Sequence, residues 1–159
     1  MENPHAAELA TYLNRLITEG GDSDVSLSLF YGIINVINKE LTFVNAGHSP
    51  PILFKSRTKE VINLARDEIL LGEAKNPTLK EKHVSMDMDD ILVFHTDGVN
   101  SVVNEYGEHF KTVQLIRILE DNHRLTPEEL IGKLKDSIES FSNGSTLKDD
   151  ITLIVLKIN

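Results

Sequence analysis

The spacing of apolar residues predicts an amphipathic helix at the start of the chain. Four apolar residues recur there at helical intervals: Leu9, Leu13, Leu16 and Ile17. Asn3 followed by Pro4 is typical of a helix start, and Gly20-Gly21 of a helix end. The glycines belong to a Gly-Gly-Asp-Ser-Asp run that lacks the spacing of a phosphate or calcium loop, so it indicates a helix stop. We expect this helix to pack on a sheet.

The period then changes from helical to alternating, which predicts a run of mostly antiparallel strands. The predicted strands are residues 25–37, residues 41–44, residues 52–54, residues 60–64 and a polar edge strand at residues 79–88. A continuous apolar run at residues 91–94 and another within residues 151–158 predict strands covered on both faces. Asp89-Asp90 is expected to form a turn before the first of these two runs.

Two helices are predicted between those buried strands. One spans roughly residues 113–120, and the other begins with Thr126 as cap, Pro127 at the first position and Glu129 closing a capping box. Strands are therefore grouped rather than alternating with helices, which indicates an α+β fold. A strand buried on both faces implies a second sheet on one side and helices on the other.

Length and charge narrow the range of functions. The 159 residues predict a single domain over residues 1–159, and the net charge of −9 makes nucleic-acid binding improbable because phosphates need an excess of cations. There is no cysteine, so disulfides, thiolate metal sites and a Cys nucleophile are excluded, and a cytoplasmic location is expected. No stretch is long and apolar enough to predict a membrane helix, and the first residues do not resemble a signal peptide.

Three carboxylates are the strongest candidates for chemistry. Asp97 follows the apolar run at residues 91–94, and Asp149 and Asp150 precede the last strand. If those strands are antiparallel neighbours, the carboxylates meet at one rim of the sheet and repel unless a cation lies between them. Mg²⁺ or Mn²⁺ prefers such oxygen ligands, and Gly98 would allow a close backbone approach. The plain alternative is that Asp97-Gly98 is a turn and Asp149-Asp150 caps a loop.

Other candidates are weaker. The six histidines form no His-Glu-x-x-His motif, so a zinc site is not expected. We interpret His48 as a side chain that holds a loop by hydrogen bonding, and His95 as a satisfied core residue. No serine lies in a Gly-x-Ser-x-Gly elbow.

Three short motifs resemble those of the SpoIIE/RsbU-like serine phosphatases, the bacterial branch of the metal-dependent (PPM) protein phosphatases. They are AGHSPP at residues 46–51, DILVFHTDGV at residues 90–99 and DDIT at residues 149–152. Leu13-Asn14 and residues 29–32 also fit the family's first helix and the strand after it. The set occurs in the family's order and covers nearly the whole chain.

The resemblance implies an α-β-β-α sandwich that hydrolyses phosphoserine or phosphothreonine with two Mn²⁺ or Mg²⁺ ions. Carried over, Asp97 and Asp149 are metal ligands, while Gly98 and Asp150 support the site. The family's attacking group is a metal-activated water, so no side chain is expected to act as a direct nucleophile. The implied substrate is a phosphorylated regulatory protein, commonly in the control of sigma factors.

The chain also departs from the family pattern. An upstream Asp-Val-x-Gly-His-Gly-like motif, which supplies part of the metal pair, has no counterpart, and Asn100-Ser101 replaces the frequent Thr-Glu. We therefore expect the C-terminal portion of such a domain, with weak metal binding and little or no activity. Missing strands would also leave a sheet edge uncovered and favour a homo-oligomer.

Two other functions remain open. They are a non-catalytic pseudophosphatase that holds a protein partner and an unrelated α+β domain. A Gly-His-Gly-like motif upstream in the complete gene product would favour the enzyme, and its replacement would favour the interaction module.

Overall fold

A computed structural model describes residues 5–20, 25–144 and 148–159. It separates into two compact units: unit 1 comprises Met1–His48 and Ala65–Met86, and unit 2 comprises Ser49–Leu64 and Asp87–Asn159. The elements are α1 (Ala6–Glu19), β1 (Leu29–Asn35), β2 (Glu40–Ala46), β3 (Ile52–Phe54), β4 (Val61–Asn63), β5 (Lys82–Ser85), β6 (Ile91–His95), α2 (Gly98–Ser101), α3 (Thr112–Asn122), α4 (Pro127–Ser142) and β7 (Leu153–Lys157). Helices accompany sheets whose named strands pair antiparallel, so the predicted α+β class is confirmed.

Unit 1 consists of a three-stranded sheet and the helix α1. The strand order is β1-β2-β5, and α1 contacts β1 and β2. Its buried core is formed by small and aliphatic side chains: Ala6, Ala10, Val44, Ala46, Leu71 and Leu79. The predicted hairpin of the first two strands is confirmed, and β5 is an edge strand as expected.

The buried face of α1 differs from the predicted one. Leu16 is 48% exposed, whereas Asn14 is buried. Asn14 is tolerated there because its side chain is satisfied: Nδ2 donates to the carbonyl oxygen of Ala74 at 2.9 Å, and Oδ1 accepts from the N–H of Gly72 at 2.8 Å. The helix therefore holds a loop of unit 1 through a polar residue. The predicted cap at Asn3-Pro4 and the end at Gly21 lie outside the described residues.

The predicted first strand is too long. The regular strand begins at Leu29 and stops at Asn35, and Ile37 beyond it is 92% exposed. The side chain of Asn35 explains the end of β1, because its Oδ1 accepts hydrogen bonds from the N–H groups of Ile37 and Asn38 and so forms a turn. Alternating apolar residues alone did not reveal this side-chain turn.

Unit 2 consists of a four-stranded sheet and the helices α3 and α4. The strand order is β4-β3-β6-β7, and its main core lies against α3 and α4. The capping box of α4 is confirmed, since the Thr126 side chain accepts from the Glu129 N–H and the Glu129 carboxylate accepts from the Thr126 N–H. The largest buried side chains of this core are Ile52, Phe54, Ile91, Phe110, Leu115, Leu119 and Leu130.

Burial on both faces is confirmed for most of β6 but is wrong for β7. Ile91, Leu92 and Val93 are buried, whereas Ile154 and Leu156 are 49% and 37% exposed. In β7 only Val155 is buried, because it points to the core while its neighbours point to the opposite face. As the terminal strand of its sheet, β7 presents an apolar and partly exposed face.

Asp90 closes the predicted turn, since its N–H donates to the carbonyl oxygen of Asp87 at 3.2 Å, and its side chain is also a buried anchor. It is fully buried, and its carboxylate accepts hydrogen bonds from the N–H groups of Ser56 at 3.0 Å and Asp87 at 2.7 Å. Its Oδ2 also lies 2.6 Å from Nζ of Lys55. Burial opposes the charged ammonium, but the bonds and attraction from Asp90 and Asp87 outweigh it, so the pKa of Lys55 is raised above its usual 10.5. The pair fixes the start of β6.

Candidate metal site

Strands β6 and β7 bring the predicted site residues to one end of the sheet in unit 2. The two strands are antiparallel neighbours, and His95 at the end of β6 pairs with Leu153 at the start of β7. Asp97 lies two residues beyond this pair, and Asp149 and Asp150 lie a few residues before it. The expectation that the two strand ends coincide is therefore confirmed.

Thr96 extends this pairing past the regular strands. Its N–H donates to the carbonyl oxygen of Thr152 at 3.2 Å, and its hydroxyl oxygen accepts from the Thr152 N–H at 3.0 Å. The Thr96 hydroxyl can donate in turn to the carbonyl oxygen of Asp150 at 3.3 Å. These bonds hold the segment carrying Asp97 against the segment carrying Asp150. Thr96 was not among the predicted site residues, since its only signal in the sequence is its place in the TDGV motif.

Gly98 is required for the close approach of the two segments. A Cβ built on Gly98 would lie only 2.1 Å from the carbonyl oxygen of Asp150 and 2.9 Å from its carbonyl carbon. No side chain fits in that space, so the main chains of Gly98 and Asp150 lie directly against each other. The predicted role of Gly98 in allowing close backbone contact agrees with this geometry.

Asp97, Asp149 and Asp150 are all exposed. Asp97 is the N-terminal flanking residue of the short helix α2, and its carbonyl oxygen accepts from the N–H groups of Asn100 and Ser101. Asp149 accepts through Oδ1 from the Asp150 N–H at 2.9 Å. α2 was not predicted, since four residues show no helical period.

The chemistry of the donors suits a hard divalent cation. Carboxylate oxygens are the ligands that Mg²⁺ and Mn²⁺ prefer. Within residues 5–20, 25–144 and 148–159, however, no three His, Cys, Asp or Glu side chains form a group that could enclose a metal. The described residues therefore do not by themselves enclose a metal, and the assignment of Asp97 and Asp149 as ligands stays a prediction.

The two histidines singled out from the sequence have different surroundings. His95 is buried, as expected of a core residue, and its Nδ1 lies 3.3 Å from the carbonyl oxygen of Thr96. In unit 1 the loop at His48 is held by another side chain, because Asn45 Oδ1 accepts the backbone N–H of His48 at 2.9 Å. Gly47 next to it has φ +72°, and a Cβ there would lie 2.1 Å from Leu70 Cδ2.

Comparison with known families decides the classification. The family model for Stage II sporulation protein E (SpoIIE) matches residues 1–159. The chain belongs to the SpoIIE family. The resemblance drawn from the AGHSPP, TDGV and DDIT motifs is thus confirmed.

Curated relatives agree with this assignment. The chain is 24% identical over 153 residues to phosphoserine phosphatase RsbU of Bacillus subtilis, covering 96% of this chain and 45% of the relative. It is 28% identical over 144 residues to protein IcfG of Synechocystis, covering 91% of this chain and 22% of that protein. The SpoIIE-family chain thus spans less than half the length of either relative.

Solved structures show the same fold at low sequence identity. The SiaA-PP2C domain of Pseudomonas aeruginosa superposes with a TM-score of 0.79 at 16% identity, over 98% of this chain and 61% of that one. The phosphatase domain of SpoIIE from Bacillus subtilis, presoaked with Mn, gives a TM-score of 0.64 at 16% identity, over 100% of this chain and 76% of that one. The fold is therefore that of PP2C-type phosphatase domains.

Proposed function

We propose that this chain is the metal-dependent serine/threonine phosphatase domain, or a part of it, of a signalling protein. The observation that carries the proposal is the main-chain contact between Gly98 and Asp150, which joins the TDGV and DDIT segments at one end of the sheet. Family membership supports the reaction class, since RsbU is named a phosphoserine phosphatase. Residues 1–159 are proposed to act as one phosphatase-like domain.

We assign Asp97 and Asp149 as ligands of Mn²⁺ or Mg²⁺, with Asp150 and Gly98 as supporting residues. A divalent ion supplies Lewis-acid chemistry, which lowers the pKa of water and offsets the negative charge of a phosphoryl group. Asp97 and Asp149 contribute hard oxygen donors, and Thr96 and Gly98 keep the two donors' segments together. With such an ion bound, water would be the attacking group, and no side chain of the protein would form a covalent intermediate.

The proposed substrate is a phosphoserine or phosphothreonine on a regulatory protein. The description of RsbU as a phosphoserine phosphatase supports the phosphoserine specificity. Control of sigma factors is the proposed signalling role, by analogy with the family. Within the described part of the chain, no helix has the length and apolar character needed to cross a membrane. A cytoplasmic location stays a prediction.

We expect this chain alone to bind the metal weakly. Two carboxylate positions without a third chelating group among the described residues give an incomplete coordination shell. Mg²⁺ and Mn²⁺ favour six oxygen ligands, of which water must supply the remainder. Activity of the isolated chain should accordingly be low.

The test is release of phosphate from a phosphoserine peptide with and without Mn²⁺, by this chain and by the complete gene product. We expect Mn²⁺-dependent release from the complete protein, at least about tenfold slower release from the isolated chain, and loss of release in Asp97→Asn and Asp149→Asn. Asp136→Asn, on the exposed side of α4, is the matched control. A complete protein that binds a partner but releases no phosphate would instead support the pseudophosphatase alternative.

A further inference from the structure

A basic cleft lies in unit 2 at the end of β6 and β7 opposite to Asp97. It has a volume of about 450 Å³ and is lined by Ser56, Arg57, Met88, Asp89, His123, Arg124 and Lys157. Asp89 precedes β6 and Lys157 ends β7, and the Asp89 N–H donates to the carbonyl oxygen of Ile158 at 2.7 Å. The cleft is thus separated from the carboxylate end by the length of the two strands.

Positive charge dominates this cleft although the chain carries a net charge of −9. Three of its lining residues are Arg or Lys, and Asp89 is the single carboxylate among the residues that line it. Lys157 Nζ lies 3.7 Å from Asp89 Oδ1, and it also donates to the carbonyl oxygens of His123 and Leu125 at 3.1 and 3.2 Å. Lys157 therefore offsets Asp89 and is held in place by the end of α3.

His123 holds a further cation, Lys59, beside the cleft. Its Nδ1–H donates to the carbonyl oxygen of Glu120 at 2.9 Å, which leaves Nε2 to accept a hydrogen bond from Lys59 Nζ. The Lys59 ammonium also lies 5.5 Å from the centre of the Phe54 ring. Both contacts orient the charge of Lys59 toward His123 beside the cleft.

Two guanidinium groups complete the cleft and are available to a ligand. Arg57 and Arg124 are exposed, and neither forms a hydrogen bond or ion pair with the part of the chain that the structure describes. A guanidinium presents a planar fork of N–H donors that matches the oxygens of a phosphate group. Two such forks at one cleft can contact different oxygens of the same group.

We propose that the basic cleft binds a phosphate group, carried either by inorganic phosphate or by a small phosphate ester. The volume is sufficient for a small ligand, and the cations supply the charge that a phosphate dianion needs. Arg57 and Arg124 contact the oxygens, while Lys157 and Lys59 add attraction without leaving their own partners. This site is independent of the carboxylate end, which repels anions when no cation is bound.

The experiment is titration of the chain with inorganic phosphate and, separately, with O-phosphoserine, followed by ¹H–¹⁵N NMR. EDTA excludes binding through a divalent ion, and constant ionic strength excludes changes in the screening of charges. We expect saturable shifts at the residues that line the cleft and none at Asp97. Equal affinity for the two probes would show that a free phosphate group is sufficient for binding. Tighter binding of O-phosphoserine would show that the cleft prefers a phosphate ester. Both results support the site.

Variants separate this proposal from non-specific attraction. Arg57→Gln and Arg124→Gln should each weaken binding about fivefold, and the double variant about thirtyfold. Arg117→Gln removes the same charge from an exposed position on α3 outside the cleft and should leave binding unchanged. Absence of saturable shifts in the wild-type chain, or an equal loss in Arg117→Gln, would overturn the proposal. Because no metal is present, neither result bears on phosphatase activity.

Discussion

Replacing Gly98 by alanine tests how the two site segments are joined. The new Cβ would lie 2.1 Å from the carbonyl oxygen of Asp150, so the segment must move by about 0.9 Å before the distance reaches 3.0 Å, below which Cβ contacts essentially never occur. Overpacking of this kind costs about 1–3 kcal/mol. The gain in helix propensity is at most about 1 kcal/mol and is smaller at the first residue of the four-residue helix α2. The clash therefore outweighs the propensity, and Gly98→Ala should destabilise the chain by about 1–2 kcal/mol.

The same movement displaces Asp149 and Asp150 relative to Asp97. Metal sites tolerate errors of about 0.5 Å in ligand position, so Mn²⁺ affinity should fall about tenfold or more. Urea unfolding gives the stability, and calorimetric titration gives the affinity.

Gly132→Ala is the matched control. Nothing lies within 4 Å of a Cβ at this position inside α4. There the substitution should stabilise the chain by about 0.5–1 kcal/mol and leave metal affinity unchanged. A Gly98→Ala protein as stable as the wild type, with undiminished Mn²⁺ affinity, would refute the close-contact argument.

Three further predictions address the rest of the fold. Asp90→Ala should cost about 3–5 kcal/mol in urea unfolding, because it removes the buried partner of Lys55, which keeps the exposed Asp87, and the acceptor of the N–H groups of Ser56 and Asp87. Because the pKa of Lys55 is raised in the folded state, the stabilisation by the Lys55–Asp90 pair should be full below pH 10.5 and should be lost as the pH rises through the folded-state pKa. If Asp90→Ala loses as much stability as the wild type in an alkaline titration, this reasoning is contradicted. Asn14→Ala should cost about 1–3 kcal/mol in urea unfolding by leaving the Gly72 N–H without its acceptor, and unchanged stability would exclude that role. Ile154→Glu should reduce self-association measured by light scattering, whereas Ile37→Glu in an exposed turn should not; equal effects would argue against association through β7.

Periodic patterns predicted most of the elements, because alternation and helical spacing follow directly from which face is buried. The capping box at Thr126 even predicted the residue at which α4 begins. α2 was missed because four residues cannot show a helical period. The early end of β1 was missed because it depends on a side-chain turn at Asn35.

The burial of polar side chains is the other feature that the sequence did not predict, since it depends on hydrogen-bond partners that are distant in sequence. Asn14 is buried because the loop at Gly72 and Ala74 satisfies it, some 60 residues away. Asp90 was correctly predicted as a turn residue, but its burial was not predicted, since only the fold brings Lys55 to it. For the candidate site, the motifs predicted the meeting of the two strand ends, but the hydrogen bonds of Thr96 required the structure.

Calorimetric titration of the chain with Mn²⁺ tests the central claim, that Asp97 and Asp149 together hold a divalent cation. We predict weak saturable binding, with a dissociation constant on the order of 10⁻³ M, that is abolished in Asp97→Asn and in Asp149→Asn alike. Asp136→Asn, which removes an exposed carboxylate elsewhere in unit 2, should bind as the wild type does. Binding that survives both site substitutions, or that falls equally in Asp136→Asn, would contradict the account.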